Sequence, residues 1–448
     1  MNSSSKTTVF LTTCAKWFAV IALLSISSTT FATVKIQHWI SSQGTSIYYA
    51  NAPGIPMVDV QVVFDAGSAR DGKQYGLAAM TSNLLDRGAG SLSADQISQQ
   101  LEGVGAILSA SASSDIASVS FRSLSDTDIL DTVVTTANTI ISKPNFSKND
   151  FNREKKRTLA GLKHQLEQPD SVAQKLYDAS MYRDHPYAHP ASGTLKSITA
   201  LTHNDLRRFH KKYYVASNAL VVIVGDVSKD QAESIANGLL SGLKTGEKPA
   251  PIPEVVEQQA GETIRKVFPS QQTHVLAGMP VVTRHDPDYF TLYVGNHILG
   301  GAGLVSRISQ EVREKRGLAY SAYSHFIPSM RKGPFTMGFQ TRNDQANEAL
   351  KVLNTTLEEF RQNGPTEEEL DSAKKNITGG FVLRIDSNSK LSGYIAMIAF
   401  YGLNLDYLDV FNSKIEAISS AMIKDAFQRR LDPTKFTTVL VGGEATAP

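Results

Sequence analysis

Two halves of this 448-residue chain share short sequence matches that occur in the same order. The matches, at offsets of 214 to 219 residues, pair segment 75–90 with 289–303, 147–157 with 366–376, and 221–227 with 439–443. Chance similarity rarely preserves order over so long a span, whereas a duplicated folding unit does so naturally. The sequence therefore predicts two homologous domains.

Each half has the same succession of predicted elements. The first begins with a strand in which Val58, Val60 and Val62 alternate with polar residues. A helix ending in a glycine cluster follows, then a further strand, at 117–122 in the first half and 334–341 in the second. More helices come next, and each half ends with an apolar strand, at 221–227 and 439–443. Strands and helices in this order predict an α+β fold, in which each domain has a mixed, mainly antiparallel sheet with helices packed on one face.

A proline-rich segment separates the halves. Residues 245–253 contain three prolines in nine positions, which indicates a semi-rigid, extended linker. We therefore predict one domain over 33–243, a linker over 244–262 and a second domain over 263–448. An apolar fraction of 41% and a charged fraction of 20% are those of an ordinary globular protein, so both domains can form a core.

Residues 1–32 have the pattern of a secretory signal peptide. Lys6 and Lys16 precede an apolar run over 17–26, and a small-residue site ends at Ala32. This run is too short to span a bilayer, and no later apolar run reaches 18 residues. We predict cleavage after Ala32, export to the periplasm and no membrane span in the mature chain. An uncleaved membrane anchor is the alternative.

Cleavage would change the chemistry available to the chain. It removes Cys14, the only cysteine, so catalytic thiol chemistry and disulfides are excluded from the mature protein. Loss of Lys6 and Lys16 lowers the count of Lys and Arg from 45 to 43, which equals the count of Asp and Glu. A near-neutral chain without a basic patch is not typical of proteins that bind nucleic acid.

The sequence has no metal-binding or nucleotide-binding motif, apart from one pair of histidines whose spacing allows two interpretations. Zinc on a helix needs two histidines at i and i+4 with a carboxylate nearby. Only His185 and His189 have this spacing, and the prolines of their HPYAHP segment prevent a regular helix. We interpret them as loop-packing residues. The residues alone thus indicate an exported, duplicated α+β protein without an evident active site.

The segment 299–321, LGGAGLVSRISQEVREKRGLAYS, has the clearest local pattern in the chain. After its glycine cluster, Leu304, Ile308 and Val312 have the spacing of one helix face. Gly317 follows as a residue that commonly ends a helix. We therefore predict a helix from Leu304 onwards that ends at Gly317, followed by an extended segment.

Arg313 and Tyr320 are candidate functional residues of this segment. Arg313 falls in the last turn of the predicted helix and Tyr320 lies seven residues later, so both side chains can point to one place. A guanidinium and a phenol offer hydrogen-bond donors to a peptide carbonyl or to the oxyanion formed when it is attacked. The alternative is structural: an Arg complements the helix dipole, and a Tyr near a strand packs in the core.

Several of these segments together resemble the pitrilysin/insulinase-type zinc metallopeptidases. The chain is most similar to the short two-domain members, akin to the subunits of mitochondrial processing peptidase. The resemblance covers essentially the whole mature chain and implies that the two domains form a clamshell. It rests on segments 64–70, 75–78, 185–187, 213–227 and 299–321.

The family binds zinc through an HxxEH motif that directly follows a Gly-Leu-Ala like residues 76–78. Here the five positions hold Ala79, Met80, Thr81, Ser82 and Asn83, so both histidine ligands and the glutamate base are missing. The family's third ligand, a glutamate about 76 residues on, corresponds to segment 159–163, which has no carboxylate. The resemblance therefore implies that this chain binds no metal and no cofactor.

Arg313 and Tyr320 match the arginine and tyrosine that reach the substrate carbonyl from the family's second domain. Some small members are heterodimers in which one chain carries HxxEH and the other carries this pair. The resemblance implies that this chain is a non-catalytic subunit, inactive alone. Zinc is then expected in an HxxEH-containing partner, and the substrate is a peptide. A peptide-binding or scaffolding protein with no enzymatic role is the alternative.

Overall fold

Two mixed β-sheets organise the chain, one in each half. The computed structural model describes residues 35–443, so the predicted signal peptide over 1–32, with Cys14, lies outside the described residues. The strands are β1 (Gln37–Ile40), β2 (Ser46–Asn51), β3 (Met57–Phe64), β4 (Ile107–Ala112), β5 (Ala117–Leu124), β6 (Ala219–Gly225), β7 (Glu262–Val267), β8 (Gln272–Val282), β9 (Ala322–Phe326), β10 (Gly333–Arg342) and β11 (Thr437–Gly442).

The two sheets have the same strand order once the extra edge strand β1 is set aside. The first runs β1-β2-β6-β3-β5-β4 and the second β7-β11-β8-β10-β9. In each, the first strand pairs in parallel with the last, β2 with β6 and β7 with β11. The other neighbours pair antiparallel. The predicted fold class, with two homologous α+β halves, is confirmed.

Helices connect and cover the strands. They are α1 (Leu77–Ser82), α2 (Ala94–Glu102), α3 (Thr127–Ser142), α4 (Lys148–Leu166), α5 (Pro169–Tyr182), α6 (Leu195–Ala200), α7 (His203–Tyr213), α8 (Lys229–Leu240), α9 (Tyr289–Asn296), α10 (Arg307–Ser309), α11 (Ala346–Asn363), α12 (Glu367–Phe381), α13 (Asn388–Tyr401), α14 (Tyr407–Glu416) and α15 (Ser420–Arg430). Within residues 35–443, none of them is both long enough and apolar enough to cross a membrane.

Each sheet buries one face against helices of its own half. In the first half, α3 and α8 pack together, and Ile140 of α3 is fully buried in the same core as Phe64 of β3. In the second half, α11 and α15 meet through Phe360 and Phe427, whose ring centroids are 4.9 Å apart. Such cores remove large apolar areas from water and supply most of the stabilisation of the fold.

The opposite face of each sheet is covered by a helix of the other half. Helix α5 packs on β8 and β11 of the second sheet, where the Tyr177 side chain is fully buried with Oη 3.1 Å from Oγ1 of Thr336. Conversely, α13 packs on β3 and β6 of the first sheet. We call α5 and α13 the exchanged helices, because each covers the sheet of the other half. Because β6 is therefore covered on both faces, it is an uninterrupted apolar run, ALVVIVG, with every residue buried.

The linker over 244–262 packs against both halves. Gln258 is buried, and its side-chain amide donates to the carbonyls of Ser180 and Met181 in α5. From the second half, Nε of Arg331 donates to the carbonyl of Ile252 at 2.6 Å. Residues 36–443 form one compact unit, held by this linker and the exchanged helices. The domain bounds set at 243 and 263 stay a prediction.

Candidate functional site

The helix that carries Arg313 begins later than its apolar spacing predicts. Ile308 and Val312 are fully buried as expected, but Leu304 is 57% exposed, so the prediction that it shares their face is wrong. Gly303 has a φ of +60°, and Ser306 is extended with Oγ donating to the Gly303 carbonyl. This turn places Leu304 before the helix, which starts at Arg307.

Gly317 ends this helix and turns the chain back. Helix α10 continues into a wide π-helical turn, Gln310–Glu314. The backbone N–H groups of Gly317 and Leu318 then donate to the carbonyls of Arg313 and Val312, at 2.8 and 2.9 Å. Gly317 has a φ of +61°, a conformation that glycine adopts without a steric cost. The helix end that the sequence predicts is confirmed, and it directs the chain towards β9.

This reversal brings Arg313 and Tyr320 together. Cζ of Arg313 lies 5.0 Å from the centroid of the Tyr320 ring, within cation–π distance. The Tyr320 residue is 78% exposed, while 29% of the Arg313 side chain is exposed. The nearest acid is Glu314, whose Oε1 is 3.4 Å from Nε of Arg313. The two side chains therefore lie side by side, with Tyr320 exposed and Arg313 partly buried.

Arg316 lies in the same segment but is held differently. Its Nη1 donates to Oε2 of Glu311 at 2.5 Å and to the Glu311 carbonyl at 2.9 Å. Lys315 also pairs with this carboxylate, and the hydrogen bond from Lys315 is the main cause that lowers the Glu311 pKa. Arg316 is thus held by a short ion pair with Glu311, whereas the contact between Arg313 and Glu314 is longer, at 3.4 Å.

The positions that correspond to the zinc motif lie on α1 and at its C-terminal cap, Asn83. Gly76 precedes the helix with a φ of +90°, and the carboxylate of Asp71 accepts hydrogen bonds from the backbone N–H groups of Gly76 and Ala78 at 2.7 and 2.8 Å. Burial raises the Asp71 pKa to about 7. This carboxylate occupies the first backbone donors of α1 and so fixes the helix start.

Ala79, Ser82 and Asn83 stand where the family motif has its two histidines and its glutamate, and none of them offers a zinc ligand. Ala79 has a methyl group, Ser82 is buried, and Asn83 presents a half-buried amide. Within residues 35–443, no group of three or more His, Cys, Asp or Glu side chains is placed to hold a metal ion. The residues present on α1 therefore do not fit the zinc of the related enzymes.

One carboxylate does reach this position, and the sequence analysis missed it. Nδ2 of Asn83 donates to Oε1 of Glu154 on α4 at 3.1 Å. Glu154 is buried and also binds Arg157, with 2.7 and 2.8 Å between their atoms. Segment 159–163, where the family's third ligand is expected, contains no carboxylate. Glu154 lies seven residues, or about two helical turns, before Gly161 of that segment. It is therefore on the same face of α4, the face that meets α1. A carboxylate seven residues before the expected segment was the sequence signal that could have revealed Glu154.

The two histidines at i, i+4 spacing have packing roles, as interpreted from the sequence. Nδ1 of His185 accepts from the Tyr187 backbone N–H at 3.1 Å, and Nε2 lies 2.9 Å from the Pro253 carbonyl in the linker. His189 stacks on Tyr75, with ring centroids 4.1 Å apart. Burial lowers the pKa of both histidines, so they stay neutral at ordinary pH.

A cavity of about 530 Å³ is lined by residues of α5, β8, β10 and the segment that follows Tyr320. Ser321, the residue after Tyr320, is part of its wall, as are Asp170 and Gln174 of the exchanged helix α5 and His274 of β8. Burial lowers the pKa of His274, so its ring is neutral at ordinary pH. The cavity thus lies between an element of the first half and the second sheet, and neither Arg313 nor Tyr320 is among its lining residues.

Comparison with known protein families matches both halves of the chain to one family. Residues 46–195 match the profile described as insulinase (peptidase family M16), and residues 200–377 match the profile described as peptidase M16 inactive domain. The first match includes α1 with its substituted motif, and the second includes Arg313 and Tyr320.

Individual relatives agree with these matches. A crystal structure described as a peptidase M16 inactive domain from Pseudomonas fluorescens is 34% identical, with a TM-score of 0.89, and the alignment covers 92% of this chain and all of that one. A Helicobacter pylori protein described as a non-peptidase homologue is 25% identical over 96% of this chain and 99% of its own length. A Bacillus subtilis protein described as a zinc protease is 24% identical over 80% of this chain and 86% of its own length.

Proposed function

Because the chain belongs to the insulinase (peptidase M16) family, we propose that it is the non-catalytic subunit of an exported, heterodimeric zinc metallopeptidase. It is an inactive member of the family, since Ala79, Ser82 and Asn83 provide neither ligands nor a general base. Its role is to bind an extended peptide and to supply Arg313 and Tyr320 to the scissile carbonyl, at a zinc site carried by the partner.

The observation that carries this proposal is the state of the Arg313–Tyr320 pair. The two side chains lie together, with Tyr320 exposed and Arg313 partly buried, whereas the neighbouring Arg316 is held by Glu311. A guanidinium fork and a phenolic O–H directed to one place can both donate to the oxygen of a peptide carbonyl. Donors fixed in advance stabilise the negative charge that develops on this oxygen during hydrolysis.

The proposal places zinc on a second chain because the first half of this chain lacks zinc ligands. A peptidase of this family needs a metal-activated water, and the α1 positions of this chain have no side chain able to hold that metal. The matching HxxEH set therefore belongs to a second chain. Lys6 and Lys16, the apolar run over 17–26 and the small-residue site at Ala32 support assembly of this pair in the periplasm.

The direct test is reconstitution with an exported HxxEH-containing chain from the same cell. The mature chain and that partner are purified separately and mixed, and cleavage of a fluorogenic peptide library is measured for each alone and for the mixture. We expect a one-to-one complex and activity only in the mixture. In that complex, Tyr320→Phe and Arg313→Ala should each lower kcat on the order of 100-fold.

Arg316→Ala is the matched control, because it removes a nearby guanidinium that is held by Glu311. It should leave kcat within about threefold of the parent complex. Equal cleavage by the parent and by the Arg313→Ala/Tyr320→Phe double variant would overturn the proposed role of the pair. An isolated chain that cleaves peptides with stoichiometric zinc would overturn the division of labour.

A peptide-binding or scaffolding role without catalysis is the second candidate. It is favoured by the contact between Arg313 and Glu314 at 3.4 Å, which gives the guanidinium a partner within the chain. On this alternative, the mature chain binds extended peptides alone, no HxxEH-containing chain co-purifies with it, and the double variant binds peptides as tightly as the parent.

A further inference from the structure

A second cavity, of about 420 Å³, lies in the second half, apart from the Arg313–Tyr320 pair. It is enclosed by α9, α13, α14 and the segment that joins α12 to α13. Its walls are formed by Arg284, Tyr289, Tyr293, Arg384, Lys390, Gly393, Tyr394, Met397, Tyr407 and Phe411. Neither the zinc motif positions nor the Arg313–Tyr320 pair contributes to it.

The charged groups of this cavity are all cations. Arg284, Arg384 and Lys390 line it, and no Asp or Glu does. Lys390 is neutralised by Asp386, with 2.9 Å between Nζ and Oδ1. Arg284 and Arg384 take part in no ion pair with a carboxylate of the described residues. Two guanidiniums without an acidic partner thus converge on one space, which favours an anionic occupant.

Aromatic rings hold the two guanidiniums in place. Cζ of Arg284 lies 5.3 Å from the centroid of the Tyr401 ring and 6.0 Å from that of Tyr289. Cζ of Arg384 lies 5.9 Å from the centroid of Tyr293. Cation–π contacts orient a guanidinium without using its N–H donors, and Nε of Arg284 is buried with no hydrogen-bond partner among the described residues, so this donor is available to a ligand.

The floor of the cavity is apolar and aromatic. Tyr407 and Phe411 are buried there, and Met397 adds a flexible thioether on one wall. Burial raises the pKa of Tyr293 and Tyr407 above the ordinary value, so their hydroxyls stay neutral donors at physiological pH. The cavity therefore combines an oxyanion site with a surface that suits a flat or apolar body.

We propose that this cavity binds an organic carboxylate with an aromatic or apolar body, the carboxylate being held between Arg284 and Arg384. Two sources share this chemistry: a free small acid, and the carboxyl terminus of a peptide whose last side chain occupies the aromatic floor. The proposal concerns a site separate from the Arg313–Tyr320 pair and is independent of the proposed function.

The probe is N-acetyl-phenylalanine, which has one carboxylate and one aromatic ring, titrated into the mature chain by calorimetry. Its neutral analogue N-acetyl-phenylalaninamide has the same body without the charge. We expect saturable one-to-one binding of the acid and binding of the amide at least about tenfold weaker, because a charge-assisted hydrogen bond is lost. Inorganic phosphate should compete poorly, since it has no apolar body.

Arg384→Gln is the decisive variant, because Arg384 is exposed at the rim and its replacement leaves the core intact. It should weaken binding of the acid about tenfold or more while the melting temperature stays unchanged. Lys375→Gln on α12 is the matched control, since this lysine is exposed, pairs with Asp371 and does not line the cavity. Its binding should equal that of the parent.

A peptide arm distinguishes the two sources. A pentapeptide ending in phenylalanine with a free carboxyl group is compared with N-acetyl-phenylalanine and with the amidated peptide. Tighter binding of the free peptide identifies a carboxyl terminus as the ligand, whereas weaker binding identifies a free acid. Equal binding of acid and amide would overturn the proposal, as would unchanged binding by Arg384→Gln, or no binding of any probe up to about 10 mM.

Discussion

The side-chain amide of Asn83 donates a hydrogen bond of 3.1 Å to Glu154, and so occupies the place on α1 where the related enzymes have a metal ligand. The Glu154 carboxylate is satisfied on its other side by Arg157. A buried carboxylate without a cation or a donor would be costly, so the amide and the guanidinium together keep this position stable without a metal.

This relationship predicts that a metal site can be restored with two substitutions. In Ala79→His/Asn83→His, two imidazoles four residues apart lie on one face of the helix region, with the Glu154 carboxylate opposite. We expect this variant to bind one zinc ion per chain, whereas the parent binds none. Metal content after dialysis, measured by mass spectrometry, checks the stoichiometry.

The role of Glu154 in that variant is tested by adding Glu154→Gln. Zinc binding should weaken by about tenfold or more, because a carboxylate ligand is replaced by a neutral amide. Glu367→Gln is the matched control, since this exposed carboxylate is in the first turn of α12. Undiminished zinc affinity after Glu154→Gln would show that Glu154 does not reach a metal held by α1.

A second prediction concerns the exchanged helix α5. A Cβ added at Gly278 of β8 would lie 1.9 Å from the Phe335 carbonyl oxygen and 2.5 Å from Oη of the buried Tyr177. Because neither the strand pairing nor the fully packed tyrosine can give way cheaply, Gly278→Ala should destabilise the protein by about 3 kcal/mol or more. Urea unfolding followed by circular dichroism measures this loss.

Gly379→Ala is the control for that experiment. Gly379 lies in α12, and a Cβ there meets nothing within 4 Å. Since alanine is the better helix former, this substitution should raise the unfolding free energy by about 0.5–1 kcal/mol. Similar effects of the two substitutions would mean that α5 does not pack against Gly278 as described.

The sequence predicted the layout of the strands well, because each strand alternates or is apolar along its length. Segments 117–122, 334–341 and 439–443 fall within two or three residues of β5, β10 and β11. The exchange of α5 and α13 was not predicted. An amphipathic pattern shows that a helix has a buried face but not which sheet that face meets.

The candidate site was predicted only in part, because residue spacing reports local chain geometry but not long-range packing. Local chain geometry links Arg313 to Tyr320 through Gly317, so their spacing sufficed to bring them together. The prediction that Leu304 belongs to the helix was wrong, because the turn at Gly303 interrupts the apparent helical periodicity. Arg284 and Arg384 are 100 positions apart, and no local pattern relates them; only the packing of α9, α13 and α14 places both at one cavity.

A third prediction concerns Asp115, a buried carboxylate between the two halves. It accepts hydrogen bonds from Tyr187 Oη at 2.5 Å, from Tyr401 Oη at 3.1 Å and from the Met330 backbone N–H at 2.9 Å. Asp115→Asn leaves only one acceptor oxygen and turns an amide N–H₂ towards a donor. We expect a loss of about 2–3 kcal/mol in the free energy of unfolding, measured in urea.

Asp371→Asn serves as the comparison for Asp115. Its side chain is 61% exposed and pairs only with Lys375 at the surface. Such a pair contributes little, so this variant should stay within about 0.5 kcal/mol of the parent. If Asp115→Asn were equally neutral, the hydrogen bonds to Asp115 would not hold the halves together.

A fourth prediction concerns the pH dependence of stability and rests on His210. Its ring stacks on Tyr214, with centroids 4.8 Å apart, and Nε2 lies 2.7 Å from the Ile141 carbonyl. Burial lowers the His210 pKa from 6.5 to about 4. The folded chain therefore keeps this ring neutral at pH values where the unfolded chain protonates it.

The sign follows from this difference. Above pH 6.5 the ring is neutral in both states and its stabilising packing is fully present. As the pH falls from 6.5 towards 4, the unfolded state takes up a proton that the folded state does not, so His210 contributes a loss of about 2–3 kcal/mol. His210→Gln cannot titrate, and its amide can still donate to the Ile141 carbonyl. Its unfolding free energy should fall less steeply over this range.

Urea unfolding at several pH values between 7 and 4 measures the effect as the difference between the parent and His210→Gln, which cancels groups that titrate alike in both proteins. His164→Gln is the control, because 71% of the His164 side chain is exposed. Replacement of this exposed side chain, which is not packed in the core, should leave the slope unchanged. Parallel curves for the parent and His210→Gln would show that His210 is protonated as readily in the folded protein as in the unfolded chain.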